Sequence, residues 1–141
     1  MMIELQPAVE QALFFCRTGD WLQLAASPLA TTALVEQCWF ADEQGEKAIS
    51  PDLRGRALRA IFCWAIDQLR PEGEPDWAAR AWRPYLVLYY YYIKGMRLSV
   101  LTEQLGIAER SGQNLRLRAV ERLVQVLQTE LNEAHEQTQR R

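Results

Sequence analysis

The sequence has almost none of the patterns that indicate β-structure. No stretch alternates apolar and polar residues between Asn-Gly or Asp-Gly turns. Apolar residues recur instead at intervals of three and four, which is the spacing along one face of an α-helix. The chain has 141 residues, of which 49% are apolar, and this is enough for a domain with its own core. We therefore predict an all-α protein built as a compact helical bundle.

Histidine is scarce and paired cysteines are absent. His135 is the one histidine and lies in the polar C-terminal tail, while Cys16, Cys38 and Cys63 form no Cys-x-x-Cys pair. The sequence therefore does not provide the clustered nitrogen and sulfur ligands that bind zinc, and we expect no metal site and no cofactor. The cysteines lie in apolar stretches, so we expect them to pack in the core of a cytoplasmic protein, where thiols stay reduced.

Long apolar runs and catalytic motifs are also missing. The longest apolar run, residues 85–93, is too short to cross a bilayer, and no signal peptide is recognisable at the N-terminus. There is no phosphate-binding loop, nucleophile elbow or His-Glu-x-x-His motif. Neighbouring carboxylates such as Glu72 and Glu74 are interpreted as solvated loop charges. We expect a protein that is not an enzyme, with no membrane partner and no small-molecule substrate.

Helical periodicity and helix-ending residues divide the first part of the chain. We predict helices at residues 7–17, 21–26, 28–40 and 52–69, with a polar loop at 42–50. These helices make up an N-terminal helical subdomain, residues 1–83. A further helix is expected to run from Pro84 to Ile93. The boundaries are assigned to capping and breaking residues: Gly19, Ser27, Asp52, Pro71, Gly73, Pro75 and Asp76.

Four consecutive tyrosines, residues 89–92, lie in the last of these helices. Four neighbouring residues cover the whole circumference of a helix. We therefore expect one or two of the rings to be buried and the others to lie at the surface or an interface. A platform for stacking bases would instead place aromatic residues on one face among basic ones.

The residues after Ile93 follow a distinct pattern. Gly95 ends one helix, leucines at 98, 101 and 105 form the stripe of a short helix, and Gly106-Ile107 precedes a long helix. This order is typical of a helix-turn-helix, whose second helix enters the major groove of DNA. The charge also changes, because residues 1–50 are mainly acidic whereas residues 94–124 carry Lys94, Arg97, Arg110, Arg116, Arg118 and Arg122 against Glu103, Glu109 and Glu121.

The stretch from Tyr92 to Leu123, YIKGMRLSVLTEQLGIAERSGQNLRLRAVERL, resembles the C-terminal DNA-binding region (region four) of bacterial sigma factors. It more closely resembles a helix-turn-helix domain at the N-termini of large bacterial signalling ATPases of the NB-ARC type. The motifs SPLA from Ser27, IDQLRP from Ile66 and WRPYLVL from Trp82 extend this second resemblance from Ser27 to Leu127. Residues 84–131 are accordingly predicted to form a helix-turn-helix with an extended C-terminal helix.

The resemblance implies a regulatory module that binds double-stranded DNA. Bases would be read by Arg110, Gln113 and Asn114, because arginine suits guanine and side-chain amides suit adenine. Phosphates would be bound by Lys94, Arg97, Arg116, Arg118 and Arg122.

Three departures from the pattern leave an alternative open. Arg97 and Ala108 occupy positions where Ser or Thr usually caps the two helices, so Ser111 is a candidate for a later start. Gly112 replaces a bulky residue, which predicts a thin core and a loose first turn. These features are also expected of a module that has stopped binding DNA and has become a protein-interaction or oligomerisation module.

The C-terminal helix carries two apolar stripes. The first, predicted to contact a second copy of the chain or a partner domain, is Leu117, Val120, Val124, Leu127 and Leu131. The second is Leu115, Ala119, Leu123 and Val126. The polar tail, residues 132–141, is predicted to be frayed.

Overall fold

The computed structural model describes residues 4–31 and 51–140, and all regular structure within these ranges is helical, as predicted. The elements in chain order are α1 (Leu5–Thr18), α2 (Trp21–Ala25), a 3₁₀ turn (Pro28–Thr31), α3 (Pro51–Asp67), a second 3₁₀ turn (Arg80–Trp82), α4 (Arg83–Val87), a π-helix (Leu88–Ile93), α5 (Leu98–Leu105) and α6 (Glu109–Arg140).

Local signals explain where the N-terminal helices begin and end. Gly19 ends α1 in the left-handed conformation, with φ at 73°. At the start of α2, a side-chain oxygen of Asp20 accepts a hydrogen bond from the backbone N–H of Gln23 at 3.1 Å. Ser27 Oγ accepts one from the N–H of Leu29 at 3.2 Å. The predicted roles of Gly19 and Ser27 are therefore confirmed.

Other predicted boundaries change. Asp52 lies inside α3, which already includes Pro51, so this helix starts before the predicted capping residue. Asp76 does cap a turn, because its carboxylate accepts a hydrogen bond from the N–H of Ala78 at 3.0 Å. The predicted helix at 28–40 is described only as far as Thr31. Its remainder, with Cys38 and the loop at 42–50, lies outside the described residues.

One hydrophobic core joins the N-terminal and C-terminal parts of the described chain. Leu13 of α1, Phe62 of α3, Leu86 of α4 and Leu123 of α6 are fully buried in the same cluster. The long helix α6 packs against α1, α3, α4 and α5. The described parts of residues 1–83 and 84–131 therefore contribute to one core, because α6 packs against helices of both.

The two helices α2 and α3 approach each other closely at Gly55. A Cβ atom at this position would lie 2.6 Å from the backbone oxygen of Trp21. This separation is too short for two non-bonded atoms, so a side chain does not fit. The glycine lets the backbones of the two helices meet directly.

The helix α6 is longer than expected from the sequence. Its backbone remains helical through Arg140, across the tail that was predicted to be frayed. No helix among the described residues is both long and apolar enough to cross a membrane.

Candidate nucleic-acid interface

The connection between α5 and α6 is short and closed by hydrogen bonds. Gly106 adopts the left-handed conformation, with φ at 71°, and its N–H and that of Ile107 bond to carbonyls at the end of α5, at 3.1 and 3.0 Å. Ile107 is half-buried and packs against the hydrophobic core, which includes the buried leucines of α5. We refer to residues 98–140 as the α5–turn–α6 unit.

Gly112 brings the two helices of this unit together. A Cβ atom there would overlap the Cγ2 methyl of Thr102 and lie 3.7 Å from Leu98 Cδ1. Thr102 is buried, and its hydroxyl donates a hydrogen bond to the Ser99 carbonyl at 3.1 Å. The predicted thin core is therefore wrong, because Thr102 and Leu98 fill the space that a bulky residue at 112 would occupy.

The start of α6 is regular. The helix begins at Glu109, and the N–H of Gly112 bonds to the carbonyl of Ala108 at 3.0 Å. The prediction of a later start at Ser111 is therefore wrong. Glu109 places a negative charge in the first turn, where the helix dipole favours it. At the start of α5, Arg97 makes no side-chain capping bond, as its residue type predicted.

The predicted base-reading residues lie together on the surface. Arg110, Gln113 and Asn114 are exposed in the first turns of α6, and Leu117, which is 42% exposed, follows one turn later. At 100° per residue these four positions span about 100° of the helix circumference. We call these four residues the front face of α6.

Arg116 is bound within the chain. Its Nη1 donates a hydrogen bond to the hydroxyl of Tyr92 at 2.7 Å, and its Nε and Nη2 donate to Oε1 of Gln113 at 3.3 and 3.1 Å. The guanidinium also lies 5.7 Å from the centre of the Tyr91 ring. Of the five predicted phosphate ligands, Arg116 is thus the half-buried one.

The other predicted phosphate ligands are exposed. Lys94 and Arg97 lie before and at the start of α5, with the Lys94 ammonium 5.5 Å from the centre of the Tyr89 ring. Arg118 and Arg122 are one turn apart on α6. The structure thus leaves these four basic side chains open to solvent.

A pocket lies on each side of the front face. The first has a volume of about 310 Å³ and is lined by Arg83, Ile107, Ser111, Asn114, Leu115 and Arg118. The second, about 300 Å³, is lined by Glu10, Phe14, Arg17, Tyr91, Tyr92, Arg116 and Leu117. Arg83 and Arg17 were missed as site residues because they are remote in sequence from α6. The only sequence signal for Arg83 was its position in the WRPY motif.

Arg17 fixes the segment before α5. From α1 it donates hydrogen bonds to the carbonyl oxygens of Tyr91, at 2.6 Å, and Met96, at 2.9 Å. Its guanidinium lies 4.1 Å from the centre of the Tyr91 ring. The Tyr91 carbonyl lies at the C-terminal end of the π-helix, where carbonyls lack intrahelical partners and carry partial negative charge, so a cation there is stabilising.

Each of the four consecutive tyrosines has a partner within the chain. Tyr92 is buried, and the other three are half-buried. Tyr89 stacks on Tyr85 with ring centres 5.6 Å apart, and Tyr90 lies 5.0 Å from Trp77. These residues form a π-helix, which the sequence did not predict. The rings therefore act mainly in packing.

The apolar stripe predicted to contact a partner is largely internal. Val120 and Leu127 are fully buried in the core of the chain, and Val124 and Leu131 are half-buried against it. Leu117 is the exposed member. The helices α1, α4 and α5 surround α6, which explains why α6 carries two apolar stripes. Val120 and Leu127 of the predicted partner stripe are therefore covered by the chain itself.

The charged residues do not assemble a metal site in the part of the chain that is described, where no group of three or more His, Cys, Asp or Glu residues converges.

Comparison with protein-family models, curated proteins and solved structures finds no match for this chain.

Proposed function

We propose that the chain is a non-enzymatic cytoplasmic regulator that binds double-stranded DNA through its α5–turn–α6 unit. In this proposal α5–turn–α6 is a helix-turn-helix, and α6 is the recognition helix. The observation that carries the proposal is the front face, where Arg110, Gln113 and Asn114 are exposed together in the first turns of α6.

The residues of the front face differ in what they offer a base pair. Arg110 is exposed and chemically suited to the two acceptors of guanine in the major groove. Asn114 suits adenine, and the exposed Leu117 suits the methyl group of thymine. Gln113 accepts from Arg116, which orients its amide oxygen toward the chain and leaves the amide nitrogen as the group it offers to a base.

Phosphates are assigned to the exposed basic residues around this face. Lys94, Arg97, Arg118 and Arg122 are all open to solvent. A protein that neutralises several phosphates releases counterions, so its DNA affinity falls steeply with salt. The overall charge of −2 does not oppose this function, since residues 1–50 carry seven acidic against two basic residues, whereas residues 94–124 carry six basic against three acidic ones.

The test is fluorescence anisotropy of the full chain on a mixed-sequence duplex, titrated across salt concentrations. We expect sub-micromolar binding at low salt that weakens as salt is added. Arg118→Gln is expected to weaken binding and to reduce the salt slope by no more than about one. The matched control is Arg56→Gln, which removes an exposed arginine from α3. The absence of binding at low salt would refute the proposal.

A second candidate is a protein-interaction surface. Phe14, which is 56% exposed, and Leu117 line the same pocket beside the front face. Exposed large apolar side chains that lie close together mark contacts with other proteins. Phe14→Ser discriminates between the two candidates. Under the DNA-binding proposal this variant is expected to leave the salt dependence of DNA binding unchanged. If it instead loses self-association or binding to a partner protein while DNA binding stays intact, the second candidate is favoured.

A further inference from the structure

The pocket between α4 and α6 has the composition of an anion site. It is lined by Arg83 and Arg118 together with Ser111 and Asn114, whose side chains carry guanidinium, hydroxyl and amide groups. None of the residues that line it is acidic. Two arginines, a hydroxyl and an amide are the donors that commonly bind phosphate oxygens.

Arg83 is incompletely satisfied at this place. It is half-buried, and its Nε atom is buried without a hydrogen-bond partner within the described residues. Most buried polar atoms in native proteins have a partner, and an orphaned charged group is costly. The buried Nε is not accessible to a ligand, so an anion in the pocket would act on Arg83 as a compensating negative charge beside its guanidinium.

The pocket is next to the front face and shares a residue with it. Asn114 belongs to the front face and also lines the pocket. Ser111 and Arg118, three residues before it and four after it, lie beside it on the same side of α6. An anion in this pocket would therefore lie at the edge of a base-reading helix, where the backbone of a duplex borders the major groove.

From these observations we propose that Arg83 and Arg118 together bind one phosphate group of the DNA backbone in the α4–α6 pocket, with Ser111 and Asn114 as additional donors. This inference rests on the proposed DNA-binding function. It adds Arg83, a residue outside the α5–turn–α6 unit, and gives α4 a direct part in positioning α6 on the duplex.

The pairing of the two arginines makes a specific prediction about salt dependence. The slope of binding against salt reports how many phosphates are neutralised, at about 0.9 per phosphate. If both arginines hold one phosphate, Arg83→Gln combined with Arg118→Gln reduces the slope by about 0.9. If each held its own phosphate, the reduction would be about 1.8.

The experiment is an anisotropy titration of the full chain and its variants on a mixed-sequence duplex across salt. We expect Arg83→Gln to weaken binding about tenfold at fixed salt, since bonds to charged groups are involved. Because Arg83 is half-buried, Ser111→Asp is a second variant that leaves it in place. It adds a carboxylate at the pocket and is expected to weaken binding about tenfold relative to the neutral, similarly sized Ser111→Asn.

The outcomes separate the inference from the function on which it rests. Wild-type affinity in Arg83→Gln, equal affinities of Ser111→Asp and Ser111→Asn, or a slope change near 1.8 in the double variant would overturn the inference while leaving DNA binding intact. A wild-type chain that does not bind the duplex would overturn both. A parallel thermal-unfolding titration with inorganic phosphate at constant ionic strength identifies the source of the anion. Stabilisation that Arg83→Gln abolishes, with unchanged DNA affinity, would assign the pocket to free phosphate and overturn the DNA assignment.

Discussion

Arg116 and Tyr92 are joined by a hydrogen bond of 2.7 Å from the guanidinium Nη1 to the phenol oxygen, and this contact ties α6 to the π-helix. Burial raises the pKa of Tyr92, while the bond from Arg116 acts in the opposite direction by favouring the phenolate. Because the same guanidinium also binds Gln113, it is engaged on both sides. The structure thus separates Arg116 from Arg118, which is exposed two residues later.

We predict that neutralising these two arginines has different effects. Arg116→Gln loses its bonds to Tyr92 and Gln113 and is expected to lower the free energy of unfolding by about 1–2 kcal/mol. Arg118→Gln is expected to leave stability within experimental error while reducing DNA affinity and its salt slope. Urea unfolding and duplex anisotropy measure the two effects.

Tyr92→Phe is the control for this prediction, since it removes only the acceptor of the Arg116 bond. It should lower stability by roughly 1 kcal/mol and leave the salt slope unchanged. The distinction fails if Arg116→Gln unfolds at the wild-type urea concentration but loses as much salt slope as Arg118→Gln.

The contact between Gly112 and Thr102 predicts a substitution that is unfavourable despite better helix propensity. Alanine gains up to about 1 kcal/mol over glycine in a helix interior. At Gly112, however, the new methyl group would overlap Thr102 Cγ2. We expect Gly112→Ala to destabilise the chain by about 1–3 kcal/mol, measured by urea unfolding.

Thr102→Ser supplies the matched rescue because it removes the Cγ2 methyl and keeps the hydroxyl that bonds to the Ser99 carbonyl. In the Thr102→Ser background, Gly112→Ala should cost less than in the wild type, and the difference is the coupling between the two positions. Equal costs in both backgrounds would show that the overlap does not determine the stability of this contact.

The sequence was sufficient to predict the helical class and the turn at Gly106-Ile107 between α5 and α6. These properties depend on neighbouring residues and on periodicity. It was not sufficient to predict how Gly112 is packed, because Thr102 reaches it across the turn from another helix. Arg83 was missed for the same reason, since its pocket forms only when α4 packs against α6.

Burial within α6 predicts which leucine matters for stability. Leu127 is fully buried, so Leu127→Ala should lower the free energy of unfolding by about 2–5 kcal/mol. Leu117 is 42% exposed, so Leu117→Ala should cost much less. Urea unfolding compares them at several protein concentrations. A cost for Leu127→Ala that disappears at low protein concentration would instead indicate that this residue is buried between two copies of the chain.

The buried thiol of Cys16 predicts a loss of stability at alkaline pH. Burial raises the pKa of this thiol from 9.0 to about 12. Between these values the folded chain keeps a proton that the unfolded chain releases, so the stability present below pH 9.0 is lost as the pH rises toward 12. One proton corresponds to about 1.4 kcal/mol per pH unit, an upper limit that is approached above pH 9.

Urea unfolding under reducing conditions at pH 8, 9 and 10 should therefore show a smaller pH dependence in Cys16→Ala than in the wild type, whatever the cost of the substitution at pH 8. If the two curves remain parallel up to pH 10, the Cys16 thiol is not protected from ionisation by the fold.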